Sequence, residues 1–436
     1  MSQRGSVSRR RFFRTAAQAG ALAAPMIVPS SVLGQRAGAV PPSERIVTAG
    51  IGIGARGTSD LRALLSYRQT RFVAICDVRN QRREEVKSMV DQRYQNRDCA
   101  MYEDQFELLA RNDIDAVLIA TGDRWHTPLS IIAAQHGKDV YCEKPCSMSI
   151  AESRALAAAF RRYGRIYQAG CQRRNGGNTG LAVELVHTGK LGKLHTVVAN
   201  VGPWKNWPPL PSRDWLPARP EPPKSVLDWD RWLGPAPWRP YNPAYPRGSW
   251  RNWYDFHGGG ILEWGSHTVD LCHWAAGMDE TQPVEYEPEG GNTGPYFVHC
   301  RYANGLKLEM RDEGWDGRLG LGSCTVRFEG DNGWVETGDT GKIAVSDNLR
   351  SELRPTTAAN LALAYHMQDW LNCIQSRTPP RASAAVAANS HIACHAAFIA
   401  FQRGRKLTWD PVKGEFPGDE EANRMQSRAL REPWRV

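Results

Sequence analysis

One stretch near the start of the chain restricts the fold more than any other. Residues 45–51, RIVTAGI, form a short apolar strand that runs directly into Gly52-Ile53-Gly54-Ala55-Arg56-Gly57. Leu61, Leu64 and Leu65 then recur at helical spacing, and a second apolar strand, residues 72–76, ends in Asp77. In a G-x-G-x-x-G turn the first glycine permits the tight bend and the second lets the backbone approach a pyrophosphate. The third lets helix and strand pack closely, and the helix N-terminus faces the phosphates. Asp77 stands 20 residues after Gly57, where a carboxylate accepts hydrogen bonds from the adenosine ribose. Gly52, Ile53, Gly54, Arg56, Gly57 and Asp77 are therefore expected to hold a dinucleotide. The carboxylate favours NAD. Arg79, Arg82 and Arg83 follow closely and are able to pair a 2′-phosphate, which keeps NADP as a second reading.

The alternation continues. Residues 115–120, 139–142 and 166–169 are strand-like, and residues 129–136 and 150–163 read as helices. Strands alternating with helices imply a doubly wound parallel sheet, with ligands at the carboxyl ends of its strands. That places Thr121, Asp123, His126, Glu143 and Lys144 along the cofactor cleft.

The runs ATGDRWH, VYCEKP and GILEWGSH resemble the Gfo/Idh/MocA family of glucose–fructose oxidoreductase, inositol dehydrogenase and rhizopine-catabolism proteins. The resemblance covers essentially everything after residue 45, including the closing RKLTWDP and EPW runs. It is nearest to an exported branch that carries a twin-arginine leader. It implies an α/β plus α+β chain: an N-terminal Rossmann domain and a C-terminal open-faced, mainly antiparallel sheet. It also implies hydride transfer between a nicotinamide and a sugar or cyclitol carbon. By position, the family's catalytic lysine and its carboxylate–histidine pair fall on Lys144, Glu263 and His267.

The chemistry has its own logic. Oxidising an alcohol needs a base for the hydroxyl proton as hydride leaves, and histidine has a suitable pKa. A carboxylate four residues away on a helix shares its face and can orient it. A lysine ammonium can hold the substrate oxygen. Gln172, Arg173, Tyr254 and Asp270 are the expected substrate contacts. Two departures from the family pattern stand out. Glu263 replaces the usual aspartate, and Gly122 replaces a proline, which should loosen the turn near the nicotinamide. The ligand-rich run Glu263, His267, Asp270 and His273 is the rival metal reading. No metal is expected, because one segment rarely supplies a full shell.

The Rossmann domain is expected over residues 40–165 and a substrate and oligomerisation domain over 166–436. The later part has strand-like stretches at 194–201, 296–302, 305–311, 323–329 and 333–337, then helices at 359–375 and 384–402. Residues 202–260 show neither period and are dense in proline and tryptophan. So long a loop is expected to cover a site or an interface, with most of its tryptophans packing and one or two touching substrate.

Charge and cysteines concern location. The net charge is +9, but residues 1–39 hold six arginines and no acid or lysine, leaving 9 − 6 = +3 on the other 397 residues. Nucleic-acid binding loses its main support. Ser8-Arg9-Arg10-Arg11-Phe12-Phe13-Arg14, then a mild Ala/Gly-rich stretch, fits a twin-arginine signal peptide over residues 1–39. Export to the periplasm is expected, by machinery that carries folded proteins with cofactor inside. The NAD should therefore be tightly bound. The ten scattered cysteines, with no Cys-x-x-Cys pair, read as buried apolar groups. No run of about 18 strongly apolar residues suggests membrane insertion. A homo-oligomer is expected.

Overall fold

The structure is a computed structural model whose described residues are 41, 44–202, 214–290, 296–312, 320–356 and 361–434. The expected leader lies outside them, as do Trp204 and Trp207. Residues 46–436 form one compact unit.

The first sheet has six strands: β1 (Ile46–Ile51), β2 (Thr70–Cys76), β3 (Ala100–Tyr102), β4 (Ala116–Ile119), β5 (Asp139–Cys142) and β6 (Tyr167–Ala169). All pair in parallel in the order β3-β2-β1-β4-β5-β6, the doubly wound arrangement of a Rossmann sheet. The strands are apolar on both faces because helices cover both. These helices are α1 (Ala55–Leu65), α2 (Asn80–Tyr94), α3 (Gln105–Leu109), α4 (His126–Gln135) and α5 (Ile150–Tyr163). The sheet runs on through β6, where Val140 pairs with Tyr167. The division at residue 165 is thus too early, because β6 completes the first sheet.

The second sheet follows α6 (Gly177–His187). Its strands are β7 (Leu194–Asn200), β8 (Glu285–Glu289), β9 (Phe297–Arg301), β10 (Lys307–Arg311), β11 (Val326–Gly330), β12 (Gly333–Thr337), β13 (Ile343–Val345) and β14 (Leu407–Thr408). Their order is β13-β12-β11-β7-β10-β9-β8-β14, antiparallel except where β7 meets β10. Sequence reading missed β8, β13 and β14. The first, EYEPE, is polar and carries a proline, and the other two span three and two residues.

The chain between β7 and β8 carries α7 (Trp229–Leu233) and α8 (Gly259–Ala276), and further on come α9 (Ala362–Ser376), α10 (Ala384–Arg403) and α11 (Glu420–Arg424). Helix α10 is long and apolar enough to cross a membrane, with mean hydropathy 1.4, which corrects the expectation that no such run exists. Yet 83% of that stretch is buried inside the fold, and α10 packs between α8 and α5. A core helix passes the same test.

The aromatic segment builds a small core of its own. Leu227, Trp229, Trp232, Leu233, Tyr245, Trp253 and Phe256 are buried together. It docks on the first sheet through Arg124, whose Nε donates to the Trp232 and Leu233 carbonyls at 3.1 Å each. The Arg124 guanidinium also lies 3.9 Å from the Trp232 ring centroid. All ten cysteines are buried free thiols.

Candidate active site

The glycine turn leaves β1 with Gly52 at φ +69, and a Cβ there would meet Thr121 Cγ2 at 2.2 Å. A Cβ on Gly57 would meet Ala120 Cβ at 2.6 Å, whereas one on Gly54 would meet nothing nearer than a carbonyl oxygen at 4.0 Å. Glycine is thus required at 52 and 57 for packing, and Gly54 keeps its outer side open. Gly54 caps α1 without a side-chain acceptor, so the first-turn N–H groups are left for a ligand. Asp77 closes β2 with its carboxylate accepting from the Arg79 N–H at 2.9 Å. Burial pushes the Asp77 pKa up, opposed by Arg79. A cavity of about 290 Å³ links Gly52, Gly54, Asp77, Arg79, Arg82 and Thr121, and Trp250 and Arg251 of the aromatic segment wall it. Open backbone donors at one end and a ribose-type acceptor further along fit a dinucleotide. Ile53 offers only backbone, because its side chain is fully buried with Leu61 and Phe72.

Arg56 stands between this cavity and a second of about 240 Å³, lined by Gln172, Arg173, Asn178, Cys324 and Asp339 among others. Its Nε donates to Glu143 Oε1 at 3.2 Å, and its Nη2 lies 2.9 Å from Asp60. Burial, then the neighbouring Glu143, push the Asp60 pKa well above the carboxylate range.

Lys144 is at the core of the site. Its Nζ donates to Glu263 Oε1 at 2.7 Å and to the Glu263 carbonyl at 3.2 Å. Glu263 sits in the first turns of α8, and its other oxygen lies 3.8 Å from His257 Nε2. His257 Nδ1 is 2.6 Å from Asp123 Oδ2. Burial acts to raise the Glu263 and Asp123 pKa values. Lys144 and His257 override it at Glu263, and His257 holds Asp123 down to about 2.

The expected Glu263–His267 dyad does not form. The four-residue spacing places both on α8, but Glu263 turns to the Lys144 ammonium, a stronger electrostatic partner than a neutral imidazole. His267 is 4% exposed and its enclosed Nδ1 has no hydrogen-bond partner. Burial, with the Arg173, Lys144 and Arg56 charges, holds its pKa well below the usual histidine range.

Several other expected contacts point elsewhere. Asp123 faces His257 rather than the cofactor cavity. His126 turns Nδ1 to the Pro145 carbonyl at 2.7 Å and Nε2 to the Thr121 carbonyl at 3.3 Å. It buttresses the Thr121 turn, which is therefore held despite Gly122. Asp270 is 1% exposed, with the Arg174 Nε 2.6 Å from its Oδ2. It closes an ion pair with Arg174 and lines neither cavity. Tyr254 stacks on Phe398 of α10, with centroids 5.6 Å apart, so it belongs to the core. Gln172 and Arg173 do line the second cavity, where Arg173 Nε donates to Asp339 at 2.6 Å. Among the described residues no three His, Cys, Asp or Glu side chains are placed to share a metal ion.

Comparison with known proteins agrees with this geometry. Residues 46–171 match the model described as "Oxidoreductase family, NAD-binding Rossmann fold", and residues 182–436 match "Oxidoreductase family, C-terminal alpha/beta domain". The chain belongs to the Gfo/Idh/MocA family. It is 31% identical over 147 residues to a myo-inositol 2-dehydrogenase of Thermotoga maritima, covering 34% of this chain and 42% of that protein. It is 37% identical over 110 residues to a "Glycosyl hydrolase family 109 protein 1" of Phocaeicola vulgatus, covering 24% of this chain and 23% of that one. These matches span less than half of either relative. The fold matches the Bordetella pertussis WlbA dehydrogenase, solved with NADH and UDP-GlcNAcA. The TM-score is 0.59 at 16% identity, covering 84% of this chain and 99% of that one.

Within this Gfo/Idh/MocA chain, the residue that sequence reading missed is His257. It lies at the end of the aromatic segment, where there is no periodicity, and its partner Asp123 is 134 residues away. Its one visible signal is its place immediately before the Gly258-Gly259-Gly260 run that opens α8.

Proposed function

We propose that this chain is a nicotinamide-dependent oxidoreductase acting on a hydroxyl-bearing carbon of a sugar, glycoside or cyclitol. The observation that carries this reading is the adjacency across Arg56. An open glycine turn and Asp77 lie on one side, and Glu143 and Lys144, with His267 nearby, on the other. Gly52, Gly54, the first turn of α1 and Asp77 would hold the dinucleotide, with NAD favoured over NADP by the Asp77 carboxylate. When bound, the nicotinamide supplies the hydride acceptor or donor. His267, kept neutral by burial and three cations, accepts the hydroxyl proton at an imidazole nitrogen. Lys144, braced by Glu263, holds the substrate oxygen and stabilises charge that develops there.

The leader motif supports export of the folded chain, with NAD already inside, to the periplasm. Likeness to a glycosyl hydrolase family 109 protein favours one second reading, in which the sugar is oxidised transiently, a glycosidic bond is cleaved, and the sugar is reduced again.

The test is mass spectrometry of the purified protein for bound nucleotide, then a panel of sugars, cyclitols and aryl glycosides. Absorbance at the nicotinamide band and aglycone release are followed together. Aglycone release without net NADH selects the second reading. Protein that binds no nucleotide and answers to no panel member refutes both.

A further inference from the structure

The Lys144–Glu263–His257–Asp123 chain is assembled from four separate segments. Asp123 lies in the turn after β4, and Lys144 follows β5. His257 ends the aromatic segment, and Glu263 lies near the start of α8. We infer that His257 is a positioning residue through which the aromatic segment fixes Glu263 against Lys144.

Asp123 anchors the imidazole. Its carboxylate is 4% exposed at the residue level, lies 2.6 Å from His257 Nδ1, and also accepts the Gly258 N–H at 3.4 Å. An ionised carboxylate only accepts, and each ring nitrogen faces one, Asp123 at Nδ1 and Glu263 at Nε2, so the form of His257 that holds both carries an N–H on each nitrogen. At 3.8 Å the contact with Glu263 Oε2 is an electrostatic one, longer than a hydrogen bond. The Glu263 carboxylate is therefore held at two points, one oxygen by Lys144 at 2.7 Å and the other facing His257. Removing His257 leaves a carboxylate that can rotate away from the ammonium.

The outer face of His257 belongs to the aromatic segment. Trp250 packs edge-on at 5.5 Å between centroids, and the His257 N–H donates to the Trp253 carbonyl at 3.1 Å. Trp250 also walls the cofactor cavity. The seating of this segment is thus transmitted to Lys144 through one imidazole. The charged groups that face it are Asp123 from the β4 side and Glu263 from α8, with Lys144 on the far side of Glu263.

This inference rests on the proposed function only in giving Lys144 a role, so its test needs no substrate. Full-length protein is treated with trinitrobenzenesulfonate at fixed pH, and labelling of Lys144 is followed by peptide mass spectrometry. The reagent attacks only neutral amines, and an ammonium that loses its counter-charge releases its proton more readily. His257→Ala should raise the Lys144 labelling rate about ten-fold, as should Glu263→Gln, because a ten-fold change corresponds to one lost charge contact of ordinary strength. The double variant should show no further rise, since both changes act through one carboxylate. His257→Gln, whose amide nitrogen can stand near Nε2, should stay within about three-fold of the parent. Wild-type labelling in His257→Ala, or multiplied effects in the double variant, overturns the inference. So does a parallel rise at buried Lys138, whose Nζ donates to the Arg111 and Ile114 carbonyls, because His257 would then be holding the fold and not one carboxylate. Normal sugar turnover by a Lys144→Ala variant would instead refute the proposed function and leave this labelling result standing.

Discussion

Arg56 Nε donates to Glu143 Oε1 at 3.2 Å, tying the first turn of the phosphate-facing helix to the residue before Lys144. Glu143 is buried, and a Cβ on Gly170 would lie 2.5 Å from its Oε1, so the carboxylate has little freedom to follow any other partner. Binding at the glycine turn and positioning of the Lys144 loop therefore share one ion pair.

Asp77 sets the first prediction. Asp77→Ala removes the ribose acceptor and a charge that repels a 2′-phosphate, while Arg79 and Arg82 remain on the cavity wall. NAD should bind at least about ten-fold more weakly, the scale of one charge-assisted hydrogen bond. The preference over NADP should narrow. Nucleotide titration of both proteins checks this, and equal NAD affinity in the two would remove Asp77 from the site.

The second prediction concerns the reacting groups. Lys144→Ala and His267→Ala should each lower turnover by about 100-fold or more, the usual scale for a positioned acid or base. Cofactor content should change little for Lys144→Ala, while its melting temperature should fall modestly, because Glu263 loses the ammonium that offsets its burial. Near-parent turnover in either variant, with the substrate found by panel screening, would exclude that residue.

Some of this site could be read from sequence because local backbone geometry dictates it. Gly52 is glycine because φ is +69 and Thr121 leaves no space for a side chain, a constraint that appears as a motif. The helical register of Glu263 and His267 was likewise legible. Which way Glu263 turns was not, since that depends on Lys144, 119 residues away. Asp270 looked like a ligand for the same reason. Only the fold shows Arg174, 96 residues distant, closing on it. The aromatic segment hid its core because its tryptophans pack around a cluster and not along one face of a helix or strand.

The third prediction is a pH dependence of stability. The loop after Lys144 is held by buried histidines. The Cys146 N–H donates to His391 Nε2 at 3.1 Å, and His395 Nε2 lies 3.3 Å from Ser147 Oγ. Burial lowers the His391 pKa to about 4 and the His395 pKa to about 3, from an ordinary 6.5. Both are depressed, so the folded chain stays neutral while the unfolded chain takes up protons. Their contribution is fully present above pH 6.5 and is lost as the pH falls toward 4. The loss should be on the order of a few kcal/mol across that window. His391→Gln should flatten the curve of melting temperature against pH between those limits, and an unaltered slope would count against this linkage.

The last prediction joins the leader to the enzymology. No freely exchanging nicotinamide pool is expected outside the cytoplasmic membrane. A dehydrogenase working there would have to leave the cytoplasm with its nucleotide in place, and the proposed leader with Arg9-Arg10 would select a route that admits folded passengers. The cofactor cavity is suited to retention, because Trp250 and Arg251 of the aromatic segment form part of its wall while Arg124 pins that segment to the first domain. Dissociation should then be slow, and each turnover should end with a second substrate reoxidising or reducing the same nucleotide. Steady-state kinetics should be ping-pong, one sugar giving hydride and another compound receiving it. A tightly held nucleotide should also raise the melting temperature of the loaded form, since it binds the folded state alone. Protein recovered from the periplasm, purified with no added nucleotide, should carry close to one NAD per chain. Arg9→Lys with Arg10→Lys should leave the chain in the cytoplasm. Recovery of empty protein that needs millimolar NAD in every assay would overturn the prediction and return the chain to the class of ordinary diffusible-cofactor dehydrogenases.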